Sequence, residues 1–360
     1  EYLFKILDPI LSHTKTGEIL FKPNGKTIKA GERFKNPDFA NYLEQIIIEG
    51  SNFLYRGDLT DKIDVFMEDG GLLTKEDFSN YEVIERTPLK TDFNGKTIIT
   101  NPMPSPGGTL IAFALKIISR KFPGKEINNR LLTLVMRLAQ TARSEVISAK
   151  NKTDPLPEIL SPIYFKRFLD FFDSEISLKP NKEKLCSGST THMSIIDSQG
   201  SAASVTTTNG EGCGYIIPGT GIMINNMLGE EDLNPDGFHN WETTKRMETM
   251  MSPTIVIGDF GPELVLGSGG SNRIRSAIKQ VILNKFTKNM NLEEAIQAPR
   301  IHLEENIIHC EPGINTAKLS FPWSTIHHWH EKNLFFGGVN AVTPTNAVGD
   351  PRRSGYGLVR

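Results

Sequence analysis

The sequence has few cysteines, little net charge and no long apolar segment. Its three cysteines, Cys186, Cys213 and Cys310, are far apart and lack metal-type spacing, so they indicate neither a disulfide framework nor a metal cluster. Lys and Arg (40) nearly balance Asp and Glu (42), which disfavours a general role in binding nucleic acid or membrane surfaces. No apolar run approaches the roughly 20 residues that cross a bilayer, so we expect no membrane span.

Motifs for metals and nucleotides are also missing. The eight histidines show no H-x-x-x-H or similar spacing, so we predict no metal site. The glycine-rich segments fit neither G-x-G-x-x-G nor a P-loop. The first residue is Glu1, with no initiator Met and no signal-peptide pattern after it. We therefore expect that an N-terminal segment is missing, and we leave the compartment open between cytoplasmic and exported.

The composition that is present, 360 residues with 38% hydrophobic and 23% charged, is typical of a soluble globular protein with a large core. Before Thr190, apolar spacing predicts helices, with a few strands near the middle of that half. Asn94-Gly95 predicts a tight turn between two of these strands. The predicted helices cover residues 2–11, 37–49, 110–119 and 130–149, and the strands cover residues 81–85, 89–93 and 96–100.

After Thr190 the pattern changes to short alternating runs separated by turn residues, which favours a mainly antiparallel sheet. Two helices follow at residues 272–286 and 292–297, the second with a capping box from Asn291 to Glu294. Strands and helices in blocks indicate an α/β (α+β) protein whose sheets are covered by helices. The polar segment 178–189 is the best internal boundary, and we expect a linker there.

Two segments could carry chemistry. Ser189 precedes the adjacent hydroxyls of Thr190 and Thr191, and a hydroxyl nucleophile needs a base. If the bond before Thr190 were cut, the new α-amino group would supply one, with a reference pKa of about 7.7–8.0. The other segment, residues 267–273, places glycines between a strand and a helix, as an oxyanion hole or carboxylate cradle requires. Taken alone, each segment is more often an ordinary loop or turn.

Taken together and in order, several segments resemble the gamma-glutamyltranspeptidase family of N-terminal-nucleophile hydrolases. The resemblance covers nearly the whole chain and is specific, because the motifs occur in the same sequence order. The matching segments are residues 55–57, 70–77, 104–108, 190–194, 200–208, 225–226, 251–254, 267–274, 298–300 and 350–353.

This resemblance implies a four-layer αββα sandwich made as a precursor that cuts itself once, between Ser189 and Thr190. Residues 1–189 would be the large-subunit portion and residues 190–360 the small catalytic subunit, together forming one structural unit. Thr190 would be the nucleophile, Thr208 would support it, and Gly269 with Gly270 would form the oxyanion hole. No cofactor is implied.

The implied substrate is a small γ-glutamyl amide, such as a glutathione-like donor, whose acyl group passes through Thr190 to water or to an amine acceptor. The substrate-binding positions carried over by the resemblance are Asn209, Glu230, Thr249 and Ser271. Some of these positions depart from the family pattern. Asn209 directly follows Thr208 instead of standing two residues after it, and a single Thr249 with Met250 replaces a pair of serines.

The departures concern the substrate and not the nucleophile, so two alternatives remain. One is an amidase or β-lactam acylase that acts on acyl groups without the glutamyl amino-acid head. The other is an uncleaved relative that binds a partner and has no enzymatic activity. For the processed enzyme we expect the two fragments to stay associated, and a homodimer or a larger assembly is left open.

Overall fold

The computed structural model describes residues 2–29, 31–67, 72–147, 156–159, 161–174, 190–230, 233–234, 237–240, 243 and 245–360. The chain forms two compact units. Unit 1 consists of residues 1–86 and 209–227, and unit 2 consists of residues 87–208 and 228–360. The predicted linker at 178–189 lies outside the described residues, and so does Ser189.

The elements are numbered in chain order. The α-helices are α1 (Tyr2–Leu11), α2 (Lys15–Phe21), α3 (Pro37–Glu49), α4 (Asn52–Tyr55), α5 (Asp58–Met67), α6 (Lys75–Ser79), α7 (Pro106–Lys121), α8 (Asn129–Ala142), α9 (Leu156–Ile159), α10 (Pro162–Ser174), α11 (Ile274–Phe286) and α12 (Leu292–Gln297). The strands are β1 (Leu89–Phe93), β2 (Lys96–Thr100), β3 (Thr191–Ile196), β4 (Ala202–Thr207), β5 (Ile216–Ile217), β6 (Ile222–Met223), β7 (Thr254–Gly258), β8 (Gly261–Gly269), β9 (Ile301–Glu304), β10 (Ile307–Cys310), β11 (Thr325–His328), β12 (Gly338–Val342) and β13 (Ala347–Val348).

Unit 1 is mainly helical. Helices α1 to α6 belong to it, together with the antiparallel β5–β6 hairpin. The Thr14 hydroxyl donates to the Gly214 carbonyl at 2.5 Å, and the Asn36 amide donates to the Gly221 carbonyl at 2.9 Å, so side chains at two helix starts hold the hairpin loops. The small core of this unit consists of Tyr42, Leu59, Ile63, Tyr215 and Ile217.

Unit 2 contains a six-stranded antiparallel sheet in the order β1-β2-β7-β8-β12-β13. Helices α7, α8 and α11 are buried along most of their length and share one large apolar core with the sheet. Strands β9, β10 and β11 form a separate three-stranded sheet that contacts α8 through β9.

The β3–β4 hairpin packs against β8 and β12 of the six-stranded sheet. Serine side chains fasten it there. Ser204 Oγ donates to the Leu266 carbonyl at 3.1 Å, and Ser194 Oγ donates to the Asn340 carbonyl at 3.1 Å. Helices, a large sheet and a second small sheet therefore lie in layers, which confirms the predicted α/β sandwich class.

Most of the predicted elements are present. Asn94 and Gly95 have φ angles of 52° and 77° and join β1 to β2, as their sequence predicts. Asn291 caps α12 and completes a capping box with Glu294. The strand predicted at residues 81–85 is wrong: residues 81–88 have no regular structure, and their side chains are exposed. The alternating apolar residues there, Tyr81 and Val83, have no sheet to pack on because β1 starts only at Leu89.

Candidate active site

Thr190 is the residue just before β3. In the antiparallel hairpin, Thr191 is opposite Thr207, so the next residues outward, Thr190 and Thr208, lie side by side. Thr190 Oγ1 donates a hydrogen bond to Thr208 Oγ1 at 3.3 Å in partly buried surroundings. Strand register thus brings together two of the predicted site residues, whose roles stay predictions.

The glycine-rich end of β8 lies directly against Thr190. A Cβ atom placed on Gly269 would be 2.2 Å from the Thr190 carbonyl oxygen, closer than any side chain allows. Gly270 has a φ angle of 123°, a conformation that favours glycine. Gly269 therefore allows the loop backbone to approach the residue predicted as nucleophile, and Gly270 allows the backbone conformation of the turn that follows.

His192 lies on β3, two residues after Thr190, and packs against Gly267 of the glycine-rich segment. It was not predicted as a site residue from the sequence. Its side chain is buried, and a Cβ atom on Gly267 would be 2.3 Å from its Cε1 atom. Its Nδ1 is 2.8 Å from Thr206 Oγ1, and its Nε2 is 2.8 Å from Ser194 Oγ. The imidazole therefore links β3 to β4 beneath Thr190.

The hydrogen bonds of Ser194 assign the tautomer of His192. Because the Ser194 hydroxyl donates to the Asn340 carbonyl, its oxygen accepts a hydrogen bond from the N–H at His192 Nε2, and Nδ1 accepts a hydrogen bond from the Thr206 hydroxyl. Burial lowers the pKa of His192 to about 4, so the ring is neutral at physiological pH. The signal in the sequence was the histidine two residues after Thr190, between two hydroxyl residues.

Buried ion pairs fix the turn at residues 350–353. Asp350 contacts Arg300 at 2.6 Å and Arg352 at 3.2 Å, and Arg352 contacts Glu311 at 2.5 Å. Burial alone would raise the pKa of Asp350, but Arg300 and Arg352 hold it below its usual value. This network anchors the turn that carries Arg353, whose guanidinium reaches the glycine loop.

Three of the four predicted substrate-binding residues belong to unit 2, and two of these, Thr249 and Ser271, lie near β7 and β8 along the chain. Thr249 precedes β7, and its hydroxyl accepts from the Met251 N–H at 3.2 Å, while its carbonyl accepts from Ser105 Oγ at 2.9 Å. Ser271 follows Gly270, is buried and has a φ angle of 48°. Ser271 is therefore adjacent to the loop through the chain itself.

The other two predicted binding residues belong to different units. Glu230 lies in unit 2, where the Asn234 side-chain amide donates to its carbonyl at 2.6 Å. Asn209 lies in unit 1, and its carbonyl accepts from the Asn226 N–H at 3.1 Å. Substrate binding by these four residues stays a prediction.

Two further findings concern only the described residues. No group of three or more His, Cys, Asp or Glu side chains among them is placed to hold a metal ion. Within that same part of the chain, no helix is long and apolar enough to cross a membrane.

The fold has a close counterpart among solved structures. A cephalosporin acylase from Bacillus halodurans superimposes with a TM-score of 0.81 at 21% sequence identity, covering 99% of this chain and 69% of that one. This likeness shows the α/β sandwich class, and in this chain that fold sets a threonine at a strand start against a glycine loop.

Within that class, the model of the gamma-glutamyltranspeptidase family matches residues 4–359. A glutathione hydrolase proenzyme of Pseudomonas aeruginosa is 32% identical, over 99% of this chain and 71% of its own length. An acylase ACY 1 proenzyme of Pseudomonas sp. strain SE83 is 29% identical, over 89% of this chain and 59% of its own length. The chain belongs to the gamma-glutamyltranspeptidase family, a family of enzymes.

Proposed function

We propose that this chain is a self-processing N-terminal-threonine acyl hydrolase or transferase that acts on γ-glutamyl amides. The observation that carries the proposal is the pairing of Thr190 with Thr208 at 3.3 Å beside a loop that only glycine permits. The names of the relatives, glutathione hydrolase proenzymes among them, support the substrate class and the processing.

Self-cleavage follows from Thr190 attacking the carbonyl before it. The Thr190 hydroxyl gives up its proton as its oxygen bonds to the Ser189 carbonyl carbon, the peptide C–N bond breaks, and the Thr190 nitrogen takes up that proton and becomes an amine. An ester now joins Ser189 to the Thr190 oxygen. Water attacks that ester, which leaves a carboxylate on Ser189 and a free hydroxyl and amine on Thr190.

The mature site would then repeat this chemistry on a substrate. The Thr190 amine takes the hydroxyl proton as the oxygen attacks the γ-carbonyl of the donor, and the same proton goes to the departing amine. Backbone donors in the Gly269–Gly270 segment would stabilise the charge that develops on the carbonyl oxygen. Water or an acceptor amine then attacks the γ-glutamyl ester and frees Thr190.

Denaturing gels, intact mass and N-terminal sequencing test the processing step. We expect two fragments from the wild type, one of which starts at Thr190, and a single uncleaved chain from Thr190→Ala. The matched control is Thr191→Ala, because Thr191 is the neighbouring hydroxyl residue and its side chain is exposed on the hairpin. A folded wild-type chain that remains uncut would refute self-processing.

A second candidate function, an acylase for non-glutamyl acyl groups, is favoured by one feature. Where the family pattern has two serines before Met251, this chain has Thr249 and a buried Met250, so one hydroxyl for the substrate carboxylate is lost. Losing a charge-assisted hydrogen bond costs about 1.5–3 kcal/mol. Relatives and a structural neighbour named as acylases agree with this alternative.

A pair of chromogenic substrates separates the two functions. γ-Glutamyl-p-nitroanilide carries the α-amino group, and glutaryl-p-nitroanilide is the same acyl group without it. A γ-glutamyl enzyme releases p-nitroaniline from the first at least about tenfold faster, which corresponds to one good contact to the ammonium group. The reverse order of rates would establish the acylase and dismiss the γ-glutamyl function.

A further inference from the structure

Residues 104–108 match the family pattern, and they have no part in the chemistry proposed for Thr190. Ser105 in this segment is buried and is the N-cap residue of α7. An N-cap serine usually accepts a hydrogen bond from the first turn of its helix. The Ser105 hydroxyl instead turns to a distant part of the chain, where it donates to the Thr249 carbonyl at 2.9 Å and to the Met251 carbonyl at 2.5 Å.

Two further contacts hold the turn at residues 249–251 against the same segment. The Thr249 N–H donates to the Pro104 carbonyl at 3.3 Å. Gly107 lets the start of the helix approach closely, because an added Cβ atom would lie 2.5 Å from the Met250 carbonyl oxygen. These contacts and the serine hydroxyl fix the backbone of the turn, and all of them lie within unit 2.

The turn lies at the end of the sheet where the glycine loop is. Strands β7 and β8 are antiparallel, and Thr254 at the start of β7 pairs with Leu266 of β8. The residues before Thr254 therefore extend in the direction in which β8 continues to Gly269 and Gly270. Residues 104–108 thus hold a turn at the same end of the sheet as the predicted oxyanion hole.

The Thr249 hydroxyl can donate to a ligand. Its oxygen accepts from the Met251 N–H at 3.2 Å, and a hydroxyl that accepts one hydrogen bond still has its own proton to donate. The side chain of Thr249 is partly exposed. The turn consists of one threonine and two methionines, so Thr249 is its single side chain that can donate a hydrogen bond.

We propose that Ser105 is a positioning residue for substrate specificity, which holds the turn at residues 249–251 so that the Thr249 hydroxyl donates to the α-carboxylate of the γ-glutamyl donor. The proposal rests on the proposed function. The α-carboxylate is remote from the reacting γ-carbonyl, so this contact is the same in the bound substrate and in the transition state. Its loss therefore weakens substrate binding and leaves the chemical step nearly unchanged.

The test compares two substrates of the self-cleaved enzyme. γ-Glutamyl-p-nitroanilide carries the α-carboxylate, and 4-aminobutanoyl-p-nitroanilide is the same acyl group without it. We expect Ser105→Ala to raise KM for the first at least about fivefold and to change kcat less than about twofold. The kcat/KM ratio of the first substrate to the second should fall at least about threefold.

Thr249→Val is the partner variant, because it removes the hydroxyl that Ser105 is proposed to direct. It should lower the same ratio at least about threefold, and adding Ser105→Ala to it should lower the ratio less than about 1.5-fold further, because both side chains act through one contact. Ser276→Ala is the matched control. Ser276 and Ser105 are both 4% exposed, but the Ser276 hydroxyl contacts His302 Nδ1 at 2.9 Å, so this variant should leave KM and the ratio unchanged.

A self-cleaved Ser105→Ala enzyme with the wild-type KM and ratio would overturn the proposal. Equal losses with both substrates would overturn it too, because they indicate a purely structural role. If the wild type does not turn over the second substrate, the comparison of KM with kcat for the first decides alone.

If Ser105→Ala does not fold or self-cleave, Ser105→Cys is measured by the same criteria, since a thiol keeps the shape and is a weaker donor. Failure of both variants to self-cleave would show that Ser105 acts on folding or processing, and would also overturn the proposal. A wild type that does not self-cleave, or that does not prefer the γ-glutamyl substrate, refutes the proposed function. A wild type that does both, beside an unchanged Ser105→Ala, overturns only the role of Ser105.

Discussion

At the scale of single residues, Lys279 on α11 is a buried charged side chain outside the site. It is 3% exposed and lines a small internal cavity of about 10 Å³ together with Gln140 and Arg275. Burial, with a smaller contribution from Arg275, lowers the pKa of Lys279 to about 7. A charged lysine in this core costs folding free energy, so Lys279 is a point where the core is less stable than it could be.

We predict that Lys279→Met stabilises the protein at neutral pH by about 1–4 kcal/mol, the range for replacing buried charge with an apolar side chain. The folded-state pKa lies below the unfolded one, so the unfolded chain binds the extra proton between pH of about 7 and 10.5. Wild-type stability should therefore rise with pH across that window, and the variant should lose this rise. Chemical denaturation at several pH values measures it.

The exposed Lys318 offers the control for this prediction. Lys318→Met removes the same charge from the surface and should leave both stability and its pH dependence within about 0.5 kcal/mol. Equal effects of the two substitutions would show that Lys279 is not destabilising through burial.

Residue-level reasoning from the sequence reaches furthest where the chemistry is local. A hydroxyl at a strand start and a strand–glycine–helix segment are visible in the sequence, and the family resemblance gave Thr190 and the glycines of the loop their roles, which stay predictions. His192 and Arg353 were missed because their importance lies in burial and in contacts with residues such as Asn340 and Leu334, which are far away in sequence. Proximity of that kind is set by the tertiary fold.

At the scale of elements, local sequence signals predicted helix caps and hairpin turns best. The Asn291–Glu294 capping box gives α12 its predicted bounds, and Asn94-Gly95 gives the β1–β2 hairpin. The strand expected at residues 81–85 failed because alternation alone does not provide a partner strand. Likewise, the pairing of β8 with β12 joins segments that no local pattern connects.

A side chain at the end of β8 would change how closely β8 and the start of β3 approach each other. Gly269→Ala would place a methyl group 2.2 Å from the Thr190 carbonyl oxygen and push the start of β3 away from the loop. A displacement of about 1 Å at a reacting group costs about 100-fold in rate. We therefore expect the variant to fold but to lose self-cleavage by that factor, as measured by gel densitometry over time.

Gly229 is the matched control, because a Cβ atom there would have no neighbour within 4 Å. Gly229→Ala should process at the wild-type rate. Normal processing by Gly269→Ala would mean that the loop moves freely and does not position Thr190.

At the scale of the whole molecule, the turn at residues 350–353 connects a helix end and a central strand of unit 2. Arg352 donates to the Ile296 and Ala298 carbonyls at the end of α12, and Asp350 accepts from the Val339 N–H of β12 at 2.9 Å. The same short turn carries Arg353 to the glycine loop. The C-terminal turn, a helix end and a central strand are thus joined through a few buried charges behind Thr190.

This arrangement predicts the consequence of removing one buried charge. Asp350→Asn leaves Arg300 and Arg352 without their shared carboxylate, and breaking a buried pair in this way costs about 3–5 kcal/mol. Because the pKa of Asp350 is lowered in the folded state, its stabilisation is present above pH of about 4 and is lost as the pH falls below that value. The variant should therefore be less stable at pH 7 and should lose less stability on acidification than the wild type.

Asp92→Asn, a substitution of an exposed residue on β1, is the control. Denaturation at pH 7 and at acidic pH should give the same curves for this variant as for the wild type. Equal curves for Asp350→Asn and Asp92→Asn would show that the network does not hold unit 2 together.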